Sequence, residues 1–318
     1  MHPELAAFLT THHHVVTSQE ASALGFNREV LRRLVQRRVL TRVARGAYVQ
    51  TSVLLGHHHL ADRHLLRARA LLRRHPDGWA ASHTTAALLW RLPVLNDGLE
   101  RVHLCHASAK GSTRRHESYT VHTFPGAEHV HADADPRRVD VATAVVGMGL
   151  VAPMRSCVVA ADAALHRQLV TGAQLDAALV RHAHVPGVGV ARSAIRSADA
   201  SSESPGETLL RLILADLGLT AIPQYRIVHD GRVLARVDFY LPEIGVVLEF
   251  DGKVKYDGLD GAAALAAEKR REDQIRALGY GVGRVAWSDL EHSSAVDAIV
   301  RQAARGARPT LIASGRPA

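Results

Sequence analysis

The sequence predicts a multidomain α/β protein, and three observations support this fold class. The chain has 318 residues, more than a single core usually holds. Helical and strand-like periodicities both occur and alternate along the chain. The turn-rich stretch at residues 201–206 marks a boundary before the last domain. We therefore predict a helical module closed by a hairpin (residues 1–52), an α+β middle domain (53–185), a linker (186–204), a C-terminal αβββαβ core (205–300) and a flexible tail (301–318).

The first 52 residues carry the start and stop signals of two short helices. Thr17 and Glu20 have the spacing of a capping box, and Gly25 is suited to end the helix that follows. Asn27 is a suitable N-cap for a second helix with an apolar stripe. Residues 39–44 and 47–49 predict two short strands around the turn dipeptide Arg45-Gly46. Helix, turn, helix and hairpin is the order of a winged helix.

The predicted second helix and hairpin are strongly basic. Seven Arg and one Glu lie between Asn27 and Arg45, as phosphate contacts beside a recognition helix require. The alternative is a solvated basic helix face with no ligand. We favour DNA binding, since the charge and the helix-turn-helix pattern coincide. The predicted contacts are Arg28, Arg32, Arg33, Arg37, Arg42 and Arg45.

Two short motifs in this module, at residues 16–21 and 40–48, resemble the N-terminal domain of AbiEi-type abortive-infection antitoxins. Residues 82–87 loosely resemble the segment that follows the winged helix in larger AbiEi-like proteins. The resemblance implies a winged-helix DNA reader, often with a regulatory role, followed by a middle domain of AbiEi-like type.

The middle domain has mixed periodicity and many histidines. Residues 60–74 and 84–90 predict helices, residues 102–106 and 119–124 predict strands, and residues 156–183 predict a helical pair. Adjacent histidines in a regular element cannot all face one ion, so the runs at 12–14 and 57–59 are interpreted as surface residues. No chemistry is assigned to the dispersed histidines His116, His122, His129 and His131.

The composition predicts a cytoplasmic protein with a polyanionic partner. A formal net charge of +8 favours a polyanionic partner, and charge alone does not separate nucleic acid from an anionic membrane surface. Together with the N-terminal pattern, it leads us to expect double-stranded DNA and no membrane partner or small-molecule cofactor. The longest weakly polar run, residues 141–154, is too short to span a bilayer, and no basic-then-apolar leader opens the sequence. Cys105 and Cys157 lie far apart and suit a reducing compartment. The oligomeric state is left open.

The C-terminal core contains the residues with the clearest chemistry. Residues 237–256 predict two strands, and side chains repeat every second residue along a strand. Glu249, Asp251, Lys253 and Lys255 would therefore share one face, and Asp238 would join them if the hairpin register places it opposite Glu249. Two or three carboxylates suffice for Mg²⁺, which prefers oxygen ligands and keeps several waters. The pattern predicts a metal site with a cation beside it.

The αβββαβ order with Glu207, Asp238, Glu249 and a nearby Lys resembles the PD-(D/E)XK nuclease core of restriction endonucleases, and more specifically very-short-patch-repair endonucleases. The matching motifs are at residues 204–207, 236–239, 247–252, 279–280, Arg271 and Arg284. The resemblance implies an endonuclease that hydrolyses DNA phosphodiester bonds with Mg²⁺, or alternatively Mn²⁺. Its catalytic residues would be Glu207, Asp238, Glu249, Lys253 and Lys255, its metal ligands Asp238, Glu249 and Asp251, and Arg271 a phosphate contact.

Two departures from the family pattern leave a second hypothesis open. The position two residues after Glu249, usually Lys, is Asp251, and Lys255 stands where the very-short-patch family commonly has His. The alternative function is a non-catalytic, AbiEi-type DNA-binding regulator or antitoxin with a degenerate nuclease fold.

Each acidic residue also has a structural alternative. Glu207 could close a capping box with Ser204, and Asp251-Gly252 could form a turn or bulge. Asp238 and Glu249 could be solvated strand-end charges or ion-pair partners of Arg236 and Arg226. The charged run at residues 268–273 is interpreted as an exposed helix face.

Overall fold

The computed structural model describes residues 2–75, 78–96, 98–107, 113–123, 125–252 and 261–308, with residues 261–267 described as backbone only. The chain divides into two compact units, Met1–Ala198 and Asp199–Ala318. Both units combine helices with β-sheet, which confirms the predicted α/β class. The division falls inside the stretch interpreted as a linker. No helix in the described ranges has the length and apolar character needed to cross a membrane.

The first unit begins with three helices and a three-stranded sheet of order β1-β3-β2. The predicted capping box is present, because Glu20 N–H donates to Thr17 Oγ1 and Thr17 N–H donates to the Glu20 carboxylate. Asn27 caps the next helix by accepting from Val30 N–H at 3.0 Å, also as predicted. The elements are α1 Pro3–Thr11, β1 Val15–Thr17, α2 Ser18–Ala23, α3 Arg28–Gln36, β2 Leu40–Ala44 and β3 Ala47–Gln50.

The rest of the first unit is built around a six-stranded sheet of order β6-β7-β5-β4-β9-β8. Helices α5 and α6 contribute to one buried cluster with strands β4, β5 and β7, and the thiols of Cys105 and Cys157 are buried and free. The elements are α4 Thr51–Gly56, α5 Leu60–Arg74, β4 Trp79–Ala81, α6 His83–Leu89, β5 Val102–His106, β6 Arg114–Arg115, β7 Tyr119–His122, β8 Val130–His131, β9 Arg138–Val139, α7 Val141–Val151, α8 Met154–His166, α9 Gly172–Arg181 and α10 Val188–Arg196.

Helix α10 lies within the predicted linker, so residues 188–196 are a packed element of the first unit. Its small residues Ala191 and Ala194 are buried. Helix α7 approaches α10 closely at Gly149, where a Cβ atom would lie 2.5 Å from the Ala191 Cα. The stretch is rich in Gly, Ser and Ala because a close helix contact requires small residues, and this composition resembles that of a linker.

The second unit has the predicted αβββαβ order and ends with a further helix. Its four-stranded sheet has the order β10-β11-β12-β13, antiparallel except for the parallel pair β12 and β13. The elements are α11 Pro205–Asp216, β10 Ile222–His229, β11 Arg232–Leu241, β12 Val246–Asp251, α12 Gly261–Ala277, β13 Gly281–Ala286, a short 3₁₀ helix Trp287–Glu291 and α13 Ser293–Ala304.

Helices cover both faces of this sheet. Helices α11 and α13 pack on one face, around Leu210, Phe239, Leu248 and Val300. Helix α12 packs on the other face, where Ile275 joins Val247 and other buried residues. The alternation of side chains along β12 therefore directs Leu248 toward α11 and α13 and directs Glu249 toward α12.

Gly206 brings α11 against the end of β12, and its substitution should be costly. A Cβ atom at Gly206 would lie 2.0 Å from the Phe250 ring, so the ring or the helix must shift. We expect Gly206→Ala to lower the free energy of unfolding by about 1–3 kcal/mol, the usual cost of overpacking. Chemical denaturation measures this change. Gly252→Ala is the matched control, because its Cβ would approach the same ring only to 3.4 Å. Equal stability of the two variants would contradict the close packing.

Candidate functional site

The candidate site lies where the regular alternation of strand β11 is interrupted. Val237 and Tyr240 pack in the same cluster on the α12 side, although strict alternation would separate them. The interruption falls at Asp238, and the facing residue of β10, Gln224, has a φ of +50°. Phe239 pairs with Leu248, so the next step of the register places Asp238 opposite Glu249. The sequence prediction left this register open.

Asp238 is a half-buried carboxylate surrounded by negative charge. Its Oδ2 accepts a hydrogen bond from Phe250 N–H at 2.7 Å. Burial raises the pKa of Asp238 to about 6, and repulsion from Glu207, Glu249 and Glu203 acts in the same direction, while the hydrogen bond from Phe250 opposes it. Within the described part of the chain, Asp238 forms no ion pair with an Arg or Lys. Arg236, the alternative partner, instead binds Glu203 at 2.7 Å.

Glu207 projects from the first turn of α11 and is 7% exposed. Its N–H donates to Ser204 Oγ at 3.2 Å, which is one half of a capping box. Its carboxylate does not return to Ser204 but accepts from Glu203 N–H at 3.0 Å and from Gln224 Nε2 at 2.9 Å. Two neutral donors therefore fix the Glu207 carboxylate near Asp238 without neutralising its charge.

Glu249 has a different environment, because two arginines contact it. Arg271 Nη2 of α12 lies 2.9 Å from Glu249 Oε1, and Arg284 Nη2 of β13 lies 3.8 Å from Glu249 Oε2. Strand β13 runs parallel to β12 with Arg284 directly beside Glu249. The structure pairs Glu249 with these two arginines and not with Arg226, the ion-pair partner that the sequence suggested. Glu249 is therefore a paired carboxylate, whereas Asp238 has no Arg or Lys partner among the residues that the structure describes.

The charged run at residues 268–273 is only partly the exposed helix face that the sequence predicted. Glu268 and Glu272 both bind Arg284, the latter at 3.0 Å, and Arg271 binds Glu249. Lys269, Arg270 and Asp273 are exposed. The helix repeat places the three ion-paired residues on the side of α12 that faces the sheet and the three exposed residues on the side that faces solvent. Arg271, predicted to contact phosphate, is held by the Glu249 carboxylate.

The remaining predicted site residues lie at the end of β12. Asp251 pairs with Ala286 in the parallel ladder, so it belongs to the strand and not to the alternative turn. Lys253 and Lys255 lie outside the described residues. Among the residues that are described, no three His, Cys, Asp or Glu side chains are grouped so that they could hold a metal ion. The described carboxylates offer at most a two-ligand arrangement around Asp238.

The arginines of the N-terminal helix and hairpin are exposed, and their predicted contact with DNA stays a prediction. Arg28, Arg32 and Arg33 on α3 and Arg37 at its C-cap are exposed, and so are Arg42 and Arg45 on the hairpin. The acidic residue of this helix, Glu29, lies 3.2 Å from Arg32 and 3.5 Å from Arg33. Arg28 and Arg37 therefore carry the least compensated charge on the helix.

A group of buried histidines in the first unit was not predicted. His103 Nδ1 lies 2.8 Å from His122 Nε2, and the His83 ring stacks on the His122 ring with centroids 3.6 Å apart. Burial, with smaller contributions from neighbouring charges, lowers the pKa of His103 to about 3, and burial lowers that of His122 to about 4. Sequence spacing gives no signal for this cluster, because the parallel pairing of β5 with β7 brings the residues together.

Comparison with known proteins gives few relatives. No family model matches the chain. Two uncharacterized proteins of Mycobacterium tuberculosis, from strains CDC 1551 / Oshkosh and ATCC 25618 / H37Rv, are each 28% identical over 131 residues. That match covers 41% of this chain and 47% of each relative, so the chain spans about half the length of the curated relatives it matches. The crystal structure of the RV2827C protein from Mycobacterium tuberculosis aligns over 72% of this chain and 86% of that chain, with 15% identity and a TM-score of 0.37.

Proposed function

We propose that the chain is a DNA-binding protein whose C-terminal unit is a Mg²⁺-dependent endonuclease of the PD-(D/E)XK type. The observation that carries the proposal is the half-buried Asp238 carboxylate, which accepts from Phe250 N–H at 2.7 Å and is repelled by Glu207 and Glu249 from two other elements of an αβββαβ core. Carboxylates that repel one another inside a folded protein are typical of functional sites. In this core they occupy the positions that the nuclease resemblance assigns to catalysis.

The chemistry of Asp238 suits a magnesium ion. Its raised pKa reflects burial and neighbouring negative charge, and a divalent cation would relieve both costs. Asp238 would be one protein ligand and Glu249 or Asp251 the second, and all three supply the oxygen atoms that Mg²⁺ prefers. When bound, the ion would activate water and offset charge on the phosphate. The Phe250 N–H orients Asp238, while Gln224 and the Glu203 N–H orient Glu207.

The lysine of the nuclease pattern can be assigned in two ways. If Glu249 is the second carboxylate, the lysine position is Asp251, and Lys253 or Lys255 must act from farther along the chain. If Asp251 is the second carboxylate, Lys253 stands two residues after it, as the pattern requires. The pairing of Glu249 with Arg271 and Arg284 favours the second assignment, because it leaves Glu249 less able to bind a cation.

The same ion pairs support a second candidate function, a non-catalytic DNA-binding regulator or antitoxin of the AbiEi type. Arg271 and Arg284 supply positive charge beside the carboxylate that a nuclease would give to its metal. A degenerate nuclease fold that has lost its metal site would keep such internal pairs for stability. The two candidates share the DNA-binding role and differ only in cleavage.

We further propose that residues 2–50 form a winged helix that positions the protein on double-stranded DNA. The supporting features are the order β1-β3-β2, the hairpin of β2 and β3, and the exposed arginines of α3. Helix α3 would be the recognition helix, with the hairpin arginines Arg42 and Arg45 against the backbone.

Removing two of these arginines should weaken DNA binding and reduce its salt dependence. We expect Arg28→Gln with Arg37→Gln to lower the slope of log K against log salt by about 1.8, because each phosphate contact contributes roughly 0.9. Fluorescence anisotropy with a duplex at several salt concentrations measures the slope. Arg196→Gln on α10 is the matched control. A slope that stays the same in the double variant would exclude α3 as the DNA-binding helix.

Cleavage separates the two candidates. Purified protein is incubated with supercoiled plasmid, linear duplex and mismatched duplex in Mg²⁺ or Mn²⁺, beside Asp238→Asn, Glu249→Gln and Asp251→Asn. The nuclease proposal predicts cleavage that EDTA stops and that Asp238→Asn abolishes. Duplex binding with no cleavage of any substrate would favour the regulator. Cleavage that survives Asp238→Asn would place the active site elsewhere.

A further inference from the structure

A cavity of about 840 Å³ in the first unit has the features of a ligand site that is separate from the proposed nuclease and DNA-binding surfaces. Its volume is within the usual range for small-molecule sites. One side is formed by the buried histidines His83, His103 and His122. The other polar lining residues include Arg101, Arg115, Arg181, Glu100 and three threonines, and the apolar wall includes Leu150 and Val185.

The histidine side of the cavity is built by specific features of the fold. His83 adopts a φ of +50°, a left-handed conformation that a non-glycine residue rarely occupies. Its ring lies against Gly147 of α7, where a Cβ atom would approach the His83 Cγ to 2.9 Å. His83 Nδ1 is buried without a hydrogen-bond partner among the described residues. Such strain and an unpaired buried nitrogen cost stability, and they are typical of sites kept for binding.

Hydrogen bonds from residues behind the histidine side of the cavity hold His103 in place. His64 Nδ1 lies 3.0 Å from the Leu99 carbonyl oxygen, so that nitrogen must carry the proton and donate. Neutral His64 then accepts at Nε2 from the Thr85 hydroxyl, 2.8 Å away, and Thr85 Oγ1 accepts from His103 N–H at 2.8 Å. These bonds hold the main chain of His103, and its ring contacts the His122 ring through His103 Nδ1 and His122 Nε2, 2.8 Å apart.

The charge of the lining indicates the class of ligand. Three arginines and one glutamate give the cavity an excess of positive charge. Arg181 uses one nitrogen to donate to Thr143 Oγ1, and Arg101 donates to the His116 and Glu117 carbonyl oxygens, which orients both guanidinium groups while leaving other N–H donors for a ligand. Guanidinium, imidazole and hydroxyl groups together are the usual donors to phosphate oxygens. The apolar wall suits a carbon skeleton attached to that phosphate.

From this lining we infer that the cavity binds a small organic phosphate, with the arginines and histidines on its phosphate group and the apolar wall on its organic part. Glu100 contributes an acceptor for a hydroxyl of the ligand. The site is distinct from the carboxylates of the second unit, so it does not depend on the nuclease proposal.

Calorimetric titration of the full chain with AMP, ribose 5-phosphate, inorganic phosphate, adenosine and ribose tests the inference. We expect at least one phosphate ester to bind with an affinity at least tenfold above that of its uncharged parent and of inorganic phosphate. Arg115→Gln and Arg181→Gln should each weaken this binding by about 10-fold or more, the usual effect of losing a charged hydrogen bond. Both residues are exposed on their outer side, so the variants should fold.

Arg192→Gln, an exposed arginine on α10 that does not line the cavity, is the matched control and should bind like the wild type. Three results would overturn the inference. They are the absence of saturable binding by either ester at millimolar concentration, equal affinity for esters and inorganic phosphate, and affinity that Arg115→Gln and Arg181→Gln leave unchanged.

Discussion

Asp238→Asn is expected to stabilise the protein at neutral pH and, under the nuclease proposal, to abolish DNA cleavage. Burial and neighbouring carboxylates raise the pKa of Asp238 to about 6, so the folded state binds a proton more tightly than the unfolded state does. The stability from this group is therefore fully present below the unfolded pKa and is lost as the pH rises through about 6. At neutral pH the ionised Asp238 is a net cost of about 1–2 kcal/mol, after a reduction for its partial exposure.

Asparagine removes this cost and keeps the local structure. Its Oδ1 can still accept the hydrogen bond that Phe250 N–H donates to Asp238 in the wild type. As a neutral amide it binds a divalent cation weakly, so the nuclease proposal predicts a loss of cleavage on the order of 100-fold or more. Chemical denaturation at several pH values and plasmid cleavage measure the two effects separately. Asp230→Asn, at an exposed turn position with a φ of +49°, is the matched control.

Glu249→Gln should change stability in the opposite direction from Asp238→Asn. Arg271 and Arg284 contact the Glu249 carboxylate. The neutral glutamine would remove the negative charge that balances these half-buried guanidinium groups. We expect a loss of about 1 kcal/mol or more at neutral pH. The free energy of unfolding from urea denaturation checks this value. If Asp238→Asn also destabilised the protein, the carboxylate would have a cationic partner and the proposed metal position would be wrong.

The local elements of the chain could be predicted from sequence because their signals are local. The caps at Thr17, Asn27 and Ser204 have short-range spacing, and each forms the predicted hydrogen bond to a backbone N–H. Helix α10 was missed because Ala191 and its neighbours are small for packing reasons, which sequence cannot distinguish from linker composition. A cap can be predicted because the two residues that form it are close in the chain. Helix α10 could not be predicted because the helix that it packs against is distant in the chain.

The environment of the candidate site could be predicted only in part. The sequence placed Asp238 opposite Glu249 only if the hairpin register allowed it, and the pairing of Phe239 with Leu248 lies one step from that position. The partners Arg271 and Arg284 come from a helix and a strand 22 and 35 residues farther on (271 − 249 and 284 − 249), and only the packed fold selects them. The interruption at Asp238 also depends on Gln224 in another strand, so the different surroundings of the two carboxylates had no sequence signal.

The buried histidines should make the first unit sensitive to acid. Burial lowers the pKa of His122 to about 4, against an unfolded value of about 6.5, so the unfolded state binds the proton more tightly. Stability is therefore fully present above the unfolded pKa and falls as the pH is lowered from about 6.5 toward 4. Between about pH 7 and about pH 5, His122 alone should cost the folded state about 2 kcal/mol.

His122→Gln should remove this part of the pH dependence. The glutamine amide can occupy the position of the imidazole Nε2, so a polar group remains 2.8 Å from His103 Nδ1 in the wild-type arrangement. We expect the loss of unfolding free energy between about pH 7 and about pH 5 to be smaller by about 2 kcal/mol than in the wild type. His58→Gln, at an exposed position, should show the wild-type loss. If both variants kept the wild-type pH dependence, His122 would titrate at its ordinary pKa and would not be buried as a neutral ring. If both lost it equally, the dependence would not come from the buried cluster.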